Sequence, residues 1–151
     1  MLNKERLILY FDGSCEPVNP GGVACCAWRL VGADGGQIAC GAAEICRGPG
    51  ATNNLAEWHG LLRGLEHFKM HHADFNGRLE ILGDSQLVIN QLNKTWRCRK
   101  ESLLPLMERC HTLLEGLDWI AAWICREENT ETDRMSRKSY LDATKDKEIG
   151  F

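Results

Sequence analysis

Four acidic residues far apart in the chain, Asp12, Glu57, Asp84 and Asp133, stand where carboxylates can do chemistry. Asp12 closes the apolar run Leu7-Ile8-Leu9-Tyr10-Phe11 and opens Gly13-Ser14, while Asp84 closes Leu79-Glu80-Ile81-Leu82-Gly83 and opens Ser85-Gln86-Leu87. Both are expected at strand tips. Carboxylates gathered from distant positions repel, and a divalent cation held by oxygen ligands, such as magnesium, relieves the repulsion. Singly, each acid has a plainer reading. Asp12 would serve an Asp-Gly turn, Asp84 a helix cap, Glu57 a solvated helix face, and Asp133 a capping box begun by Thr130. None of those roles requires four separate elements to converge, so metal binding is the economical reading of the set.

Periodicity shows the elements that must hold these residues. Three β-rich segments, residues 6–11, 22–31 and 37–46, are separated by Asn19-Pro20-Gly21-Gly22 and Gly32-Ala33-Asp34-Gly35-Gly36, which predicts an antiparallel meander. A long helix is expected from Thr52, with Leu55, Trp58, Leu62, Leu65 and Phe68 as its apolar stripe. Residues 78–82 read as a fourth strand. Leu87, Val88 and Leu92 mark a short helix. Leu103, Met107, Cys110, Leu114 and Leu117 mark another, with Pro105 near its first turn. Residues 119–125 read as a fifth strand, and a last helix is expected from Asn129-Thr130 to about Lys145. This order implies an α/β fold, a mixed sheet covered by helices. If the first and fourth strands are neighbours, Asp12 and Asp84 emerge together.

The chain has 151 residues and fits one domain, residues 1–151. A hydrophobic fraction of 44% with 26% charged residues excludes a disordered or fibrous chain. No apolar run approaches the roughly 20 residues that span a bilayer, and the start has no signal-peptide core. A cytoplasmic monomer without a membrane partner is expected. Eight cysteines, two of them adjacent as Cys25-Cys26, read as buried free thiols, and the absence of a Cys-x-x-Cys pair leaves structural zinc little support. A net charge of −3 does not exclude nucleic acid, because acids collected around a cation bias the sum. The stretch Lys94-Thr95-Trp96-Arg97-Cys98-Arg99-Lys100 is basic with an aromatic inside it. It suits phosphates and base stacking, or equally a solvated helix end. Trp58, Trp119 and Trp123 are assigned to packing, and His59, His67, His71 and His72 to surface or packing roles rather than to metal.

Four stretches together resemble the type 1 ribonucleases H: Phe11-Asp12-Gly13-Ser14-Cys15, Ala51-Thr52-Asn53-Asn54-Leu55-Ala56-Glu57, Leu82-Gly83-Asp84-Ser85-Gln86 and Arg126-Glu127-Glu128-Asn129-Thr130-Glu131-Thr132-Asp133-Arg134. The likeness covers essentially the whole chain in order. It implies an RNase H-like fold with a five-stranded mixed sheet flanked by helices. The activity it implies is metal-dependent endonucleolytic hydrolysis of the RNA strand of an RNA/DNA hybrid, leaving 5′-phosphate and 3′-hydroxyl ends. By the same resemblance Asp12 bridges two magnesium ions, for which manganese can substitute. Asp133 shares the ion that activates water, and Glu57 with Asp84 holds the ion facing the leaving oxygen. Backbone groups of Gly13, Ser14 and Cys15, the Thr52 segment, and the amides of Asn53 and Asn54 are implied as contacts to the 2′-hydroxyl.

Two departures from the family pattern follow. The stretch between Asp84 and Asp133 is too short for the basic, tryptophan-bearing insertion of some members, so a short form is implied, with Trp96, Arg97, Arg99 and Lys100 as a reduced substitute and weaker hybrid affinity as the consequence. None of the five histidines lies in the loop just before the last helix, which Arg126, Glu127 and Glu128 occupy. Two other readings compete. A nuclease of the same fold acting on DNA would have no use for the Asn53-Asn54 pair. A non-catalytic hybrid-binding module would be expected to lack a carboxylate, and all four are present.

Overall fold

The computed structural model describes residues 5–149, with side chains as far as residue 145. Residues 1–4, part of the start read above as lacking a signal-peptide core, lie outside it. Five strands form one sheet in the order β3-β2-β1-β4-β5. They are β1 (Arg6–Glu16), β2 (Val23–Gly32), β3 (Gln37–Arg47), β4 (Arg78–Gly83) and β5 (Asp118–Trp123). The first three form the antiparallel meander expected from their glycine-rich breaks, whereas β4 and β5 run parallel to β1. The mixed sheet is as the sequence predicts, and the β1–β4 adjacency on which the meeting of Asp12 and Asp84 depends is present.

Four helices cover the sheet: α1 (Asn53–His71), α2 (Gln86–Leu92), α3 (Leu104–Leu114) and α4 (Thr130–Ile149). The predicted stripe of α1 is buried at Trp58, Leu65 and Phe68, and it packs on Leu7, Leu9 and Phe11 of β1 and Trp28 and Leu30 of β2. The pleat sends alternate residues to opposite faces. Gly13 of β1 abuts α1, and its neighbour Ser14 bonds Ser136 of α4 at 3.0 Å. α4 therefore lies on the face opposite α1.

Several expectations are corrected. β1 runs five residues past Phe11, so Asp12 is not at a strand tip. It pairs with Ala27 inside the ladder to β2. Leu117 lies beyond the end of α3, and a 3-10 turn, Arg126–Glu128, precedes α4. Trp58 is fully buried and Trp119 packs against the core, but Trp123 is 47% exposed rather than packed inside. The eight cysteines are all free, yet only Cys15, Cys25, Cys26 and Cys110 are buried, and Cys40 is exposed. His67 does pack, with its ring 4.7 Å from that of Trp28. No helix among the described residues is long and apolar enough to cross a membrane.

Candidate active site

The parallel ladder between β1 and β4 ends at the pair Phe11 and Gly83, so the next residues, Asp12 and Asp84, leave it side by side. Asp84 is free of capping duty because Ser85 caps α2, its hydroxyl accepting the amide of Val88 at 3.2 Å. Trp123 at the end of β5 donates its indole N–H to the Asp84 carbonyl at 3.0 Å. Thr52 caps α1 by accepting the Leu55 amide at 3.1 Å, which sets Glu57 early in that helix.

Glycine allows that helix to reach Asp12. A Cβ on Gly13 would lie 2.2 Å from the Glu57 backbone nitrogen, and one on Gly60 would lie 2.7 Å from the Asp12 carbonyl oxygen. Neither distance is sterically allowed for a side chain. The backbones of β1 and α1 therefore touch where two acids must meet. The nearby Gly13 amide favours the charged form of the Glu57 carboxyl.

Ligand oxygens of Asp12, Glu57 and Asp84 lie within 4.8 Å of one another. Asp12 and Glu57 are each only 3% exposed, and one oxygen of each, Oδ2 and Oε2, is buried without a hydrogen-bond partner. Burial, then the charges of Asp84 and Asp133, pushes Asp12 up to about 8. Burial and the charges of Asp12 and Asp84 hold Glu57 well above the ordinary carboxylate range. Asp84 is raised by burial, an effect opposed by the Arg126 guanidinium and by a hydrogen bond from Asn129. Buried acids this close cannot all ionise unless a cation compensates them, and an all-oxygen donor set suits a hard divalent ion. The residues fit such an ion.

A polar cavity of about 220 Å³ opens over this cluster. Asp133 of α4 lines it, so the four predicted acids share one cavity wall, with three of them in the tight group. Gly13, Ser14, Cys15 and Asn53 line it as well. The Cys15 thiol turns away, donating to the Val18 and Ala51 carbonyls at 3.2 and 3.3 Å, which leaves its backbone for any contact in the cavity. Thr52 is used as the helix cap, and Asn54 is not part of the wall. Trp96, Arg97 and Arg99 line a different concavity of about 310 Å³ beyond the end of α2, and Lys100 follows them outside it.

Four residues of the site escaped the sequence reading. Glu16 and Arg137 line the cavity. Asn129 is 1% exposed beside Asp84. Gln91 accepts from the Trp58 indole at 3.1 Å and donates to the Arg97 carbonyl at 3.3 Å, which ties the basic loop to the core. Arg137 stands one helical turn after Asp133, a spacing that could have pointed to it.

The reverse transcriptase-like family matches residues 11–139. The Ribonuclease HI of Halobacterium salinarum is 38% identical over 140 residues, 91% of this chain and 66% of that protein. A crystal structure of RNase H1 from the same archaeon superposes with a TM-score of 0.78 at 36% identity, covering 91% of this chain and 98% of the other. The N-terminal RNase H domain of Rv2228c from Mycobacterium tuberculosis superposes with a TM-score of 0.81 at 28% identity, covering 95% and 99%. The chain spans just under two thirds of the length of the Halobacterium protein, 66%, and 23% of the bifunctional protein Rv2228c.

Proposed function

The chain belongs to the reverse transcriptase-like family, and from that membership we infer that it is a ribonuclease H, a single domain that hydrolyses the RNA strand of RNA/DNA hybrids to 5′-phosphate and 3′-hydroxyl ends. The observation that carries this reading is the pair of buried, unpartnered carboxylate oxygens on Asp12 and Glu57, close to those of Asp84. Asp12, Glu57, Asp84 and Asp133 would hold divalent cations, two magnesium ions or manganese in their place. Bound there, the cations supply charge neutralisation and a water of lowered pKa for an in-line displacement.

The chain's own residues do the rest. The closely set acids, carried on packed strands and helices, would hold the cations. Arg126 places positive charge beside Asp84, at the cavity rim, where a phosphate of the substrate strand would approach. The backbone of Gly13, Ser14 and Cys15, with the Asn53 amide, lines the wall on which a ribose 2′-hydroxyl can be recognised, both donor and acceptor being on offer. The protein acts as a cytoplasmic monomer in this reading.

The test is cleavage of an end-labelled RNA/DNA hybrid in magnesium, beside DNA duplex, RNA duplex and single-stranded RNA, by wild type and Asp84→Asn. Cleavage confined to the hybrid's RNA strand, and lost by at least a hundredfold in the folded variant, is the expected result. Cleavage of DNA would overturn the sugar preference. Near wild-type turnover by Asp84→Asn would overturn the site.

A further inference from the structure

Asn129 is buried at the junction of three functional elements. It sits between the 3-10 turn Arg126–Glu128 and α4. Its Nδ2 donates to the Phe11 carbonyl at 2.9 Å, in the peptide that leads directly into Asp12. The same side chain lies close enough to Asp84 to favour its ionised form. Its backbone carbonyl accepts the amide of Asp133 at 3.0 Å, and its own amide closes the turn onto the Arg126 carbonyl at 3.0 Å. One residue thus ties the backbone of Asp133 to the residue preceding Asp12, beside Asp84.

We propose that Asn129 is a positioning residue that fixes Asp12, Asp84 and Asp133 relative to one another, and with them the fit of the carboxylate cluster to a divalent cation. Packing alone does not account for it. Its Oδ1 is buried without a partner, an orphaned acceptor that an apolar side chain of similar volume would not leave. What the amide provides is an uncharged N–H donor for the Phe11 carbonyl, with a second N–H to spare beside Asp84. Aspartate would have no donor and would add a negative charge to the cluster. Outer-layer partners of this kind orient metal-binding carboxylates, and losing one typically lowers metal affinity or activity by about 10–100-fold.

The proposal rests on the hydrolytic reading only for its kinetic arm. Manganese binding is measured by calorimetry without nucleic acid for wild type, Asn129→Leu, Asn129→Ala and Asn129→Ser, with Asp84→Asn as the blank and circular dichroism as the check on folding. The expected result is a folded variant whose manganese affinity falls by about tenfold or more. Its kcat on the hybrid falls comparably, while KM for the hybrid stays within about twofold. Any folded variant that keeps wild-type manganese affinity overturns the proposal. If none of the three folds, Asn129 is a determinant of the fold and the proposal also falls. If wild type binds manganese but cuts nothing, the hydrolytic reading fails while the comparison of affinities still decides the role of Asn129.

Discussion

Asp12 shows how far burial and neighbouring charge can move one carboxyl. Its pKa is pushed up to about 8 in the folded protein, against about 3.9 in an unfolded chain. The sign of the linkage follows. A raised folded pKa gives stability that is fully present below about pH 4 and is lost as pH rises through about 8. In the metal-free protein the cluster is therefore a source of strain at neutral and alkaline pH. Asp12→Asn is expected to raise the Tm of the metal-free protein at pH 8 by several degrees, at about 2–4 °C per kcal/mol for a domain of this size. The same substitution makes little difference at pH 4, where the stability is still present. It should also abolish the Tm rise that magnesium gives wild type at pH 8, together with cleavage. Calorimetric scans of both proteins at the two pH values, with and without EDTA, check this. A variant less stable than wild type at pH 8 without metal would mean that the charge is already compensated by protein groups.

The contact between β1 and α1 decides whether Glu57 reaches Asp12, and it turns on glycines inside regular elements. Alanine is the better helix former by about 1 kcal/mol, so Gly60→Ala on an open helix face would stabilise. Here the added Cβ would meet the Asp12 carbonyl at 2.7 Å and the Ala27 carbonyl at 3.0 Å, both backbone atoms of the sheet. Overpacking against backbone costs about 1–3 kcal/mol, which exceeds the propensity gain. Gly60→Ala should lower the urea midpoint and, by shifting α1 away from β1, reduce kcat by at least tenfold with the fold retained. Equal stability and turnover would show that the interface yields without moving Glu57.

The sequence discloses much of this element layer, because the breaks between strands and the apolar stripe of α1 are local signals. It conceals the length of β1. Asp12-Gly13-Ser14 has the composition of a turn, and only the ladder to Val23–Ala27 of β2 keeps it extended. Trp123 misleads in the opposite way. Its bulk suggests packing, yet it ends an edge strand, where its indole needs only the Asp84 carbonyl. The four acids are legible as a set spread over separate elements, although Asp12 and Glu57 lie inside their elements rather than at the ends. Asn129 and Gln91 are not legible, since a polar residue that serves by linking backbones has no mark of its own in a sequence.

At the scale of the whole molecule, the proposed function asks a chain of net charge −3 to take hold of a polyanion through local fields. The cavity's acids outnumber its two arginines, so attraction is needed from elsewhere on the surface as well. The loop after α2 offers it. Trp96 is 46% exposed there, beside Arg97 and Arg99, and Gln91 fastens the loop to the core. The seven residues of α2 separate this loop from Asp84 by about 10 Å at 1.5 Å per residue, close to the rise of three base pairs at about 3.4 Å each. A duplex seated with one strand in the cavity could thus meet the loop a few phosphates away. Replacing Arg97, Arg99 and Lys100 with alanine should raise KM for the hybrid and reduce the slope of log affinity against log salt by about one unit for each phosphate no longer neutralised. kcat at saturating hybrid should remain near that of wild type, because none of the three residues lines the carboxylate cavity. Identical affinities across a salt titration would remove the loop from the binding surface, and would leave Arg126 and Arg137 at the cavity as the cations that hold the substrate strand.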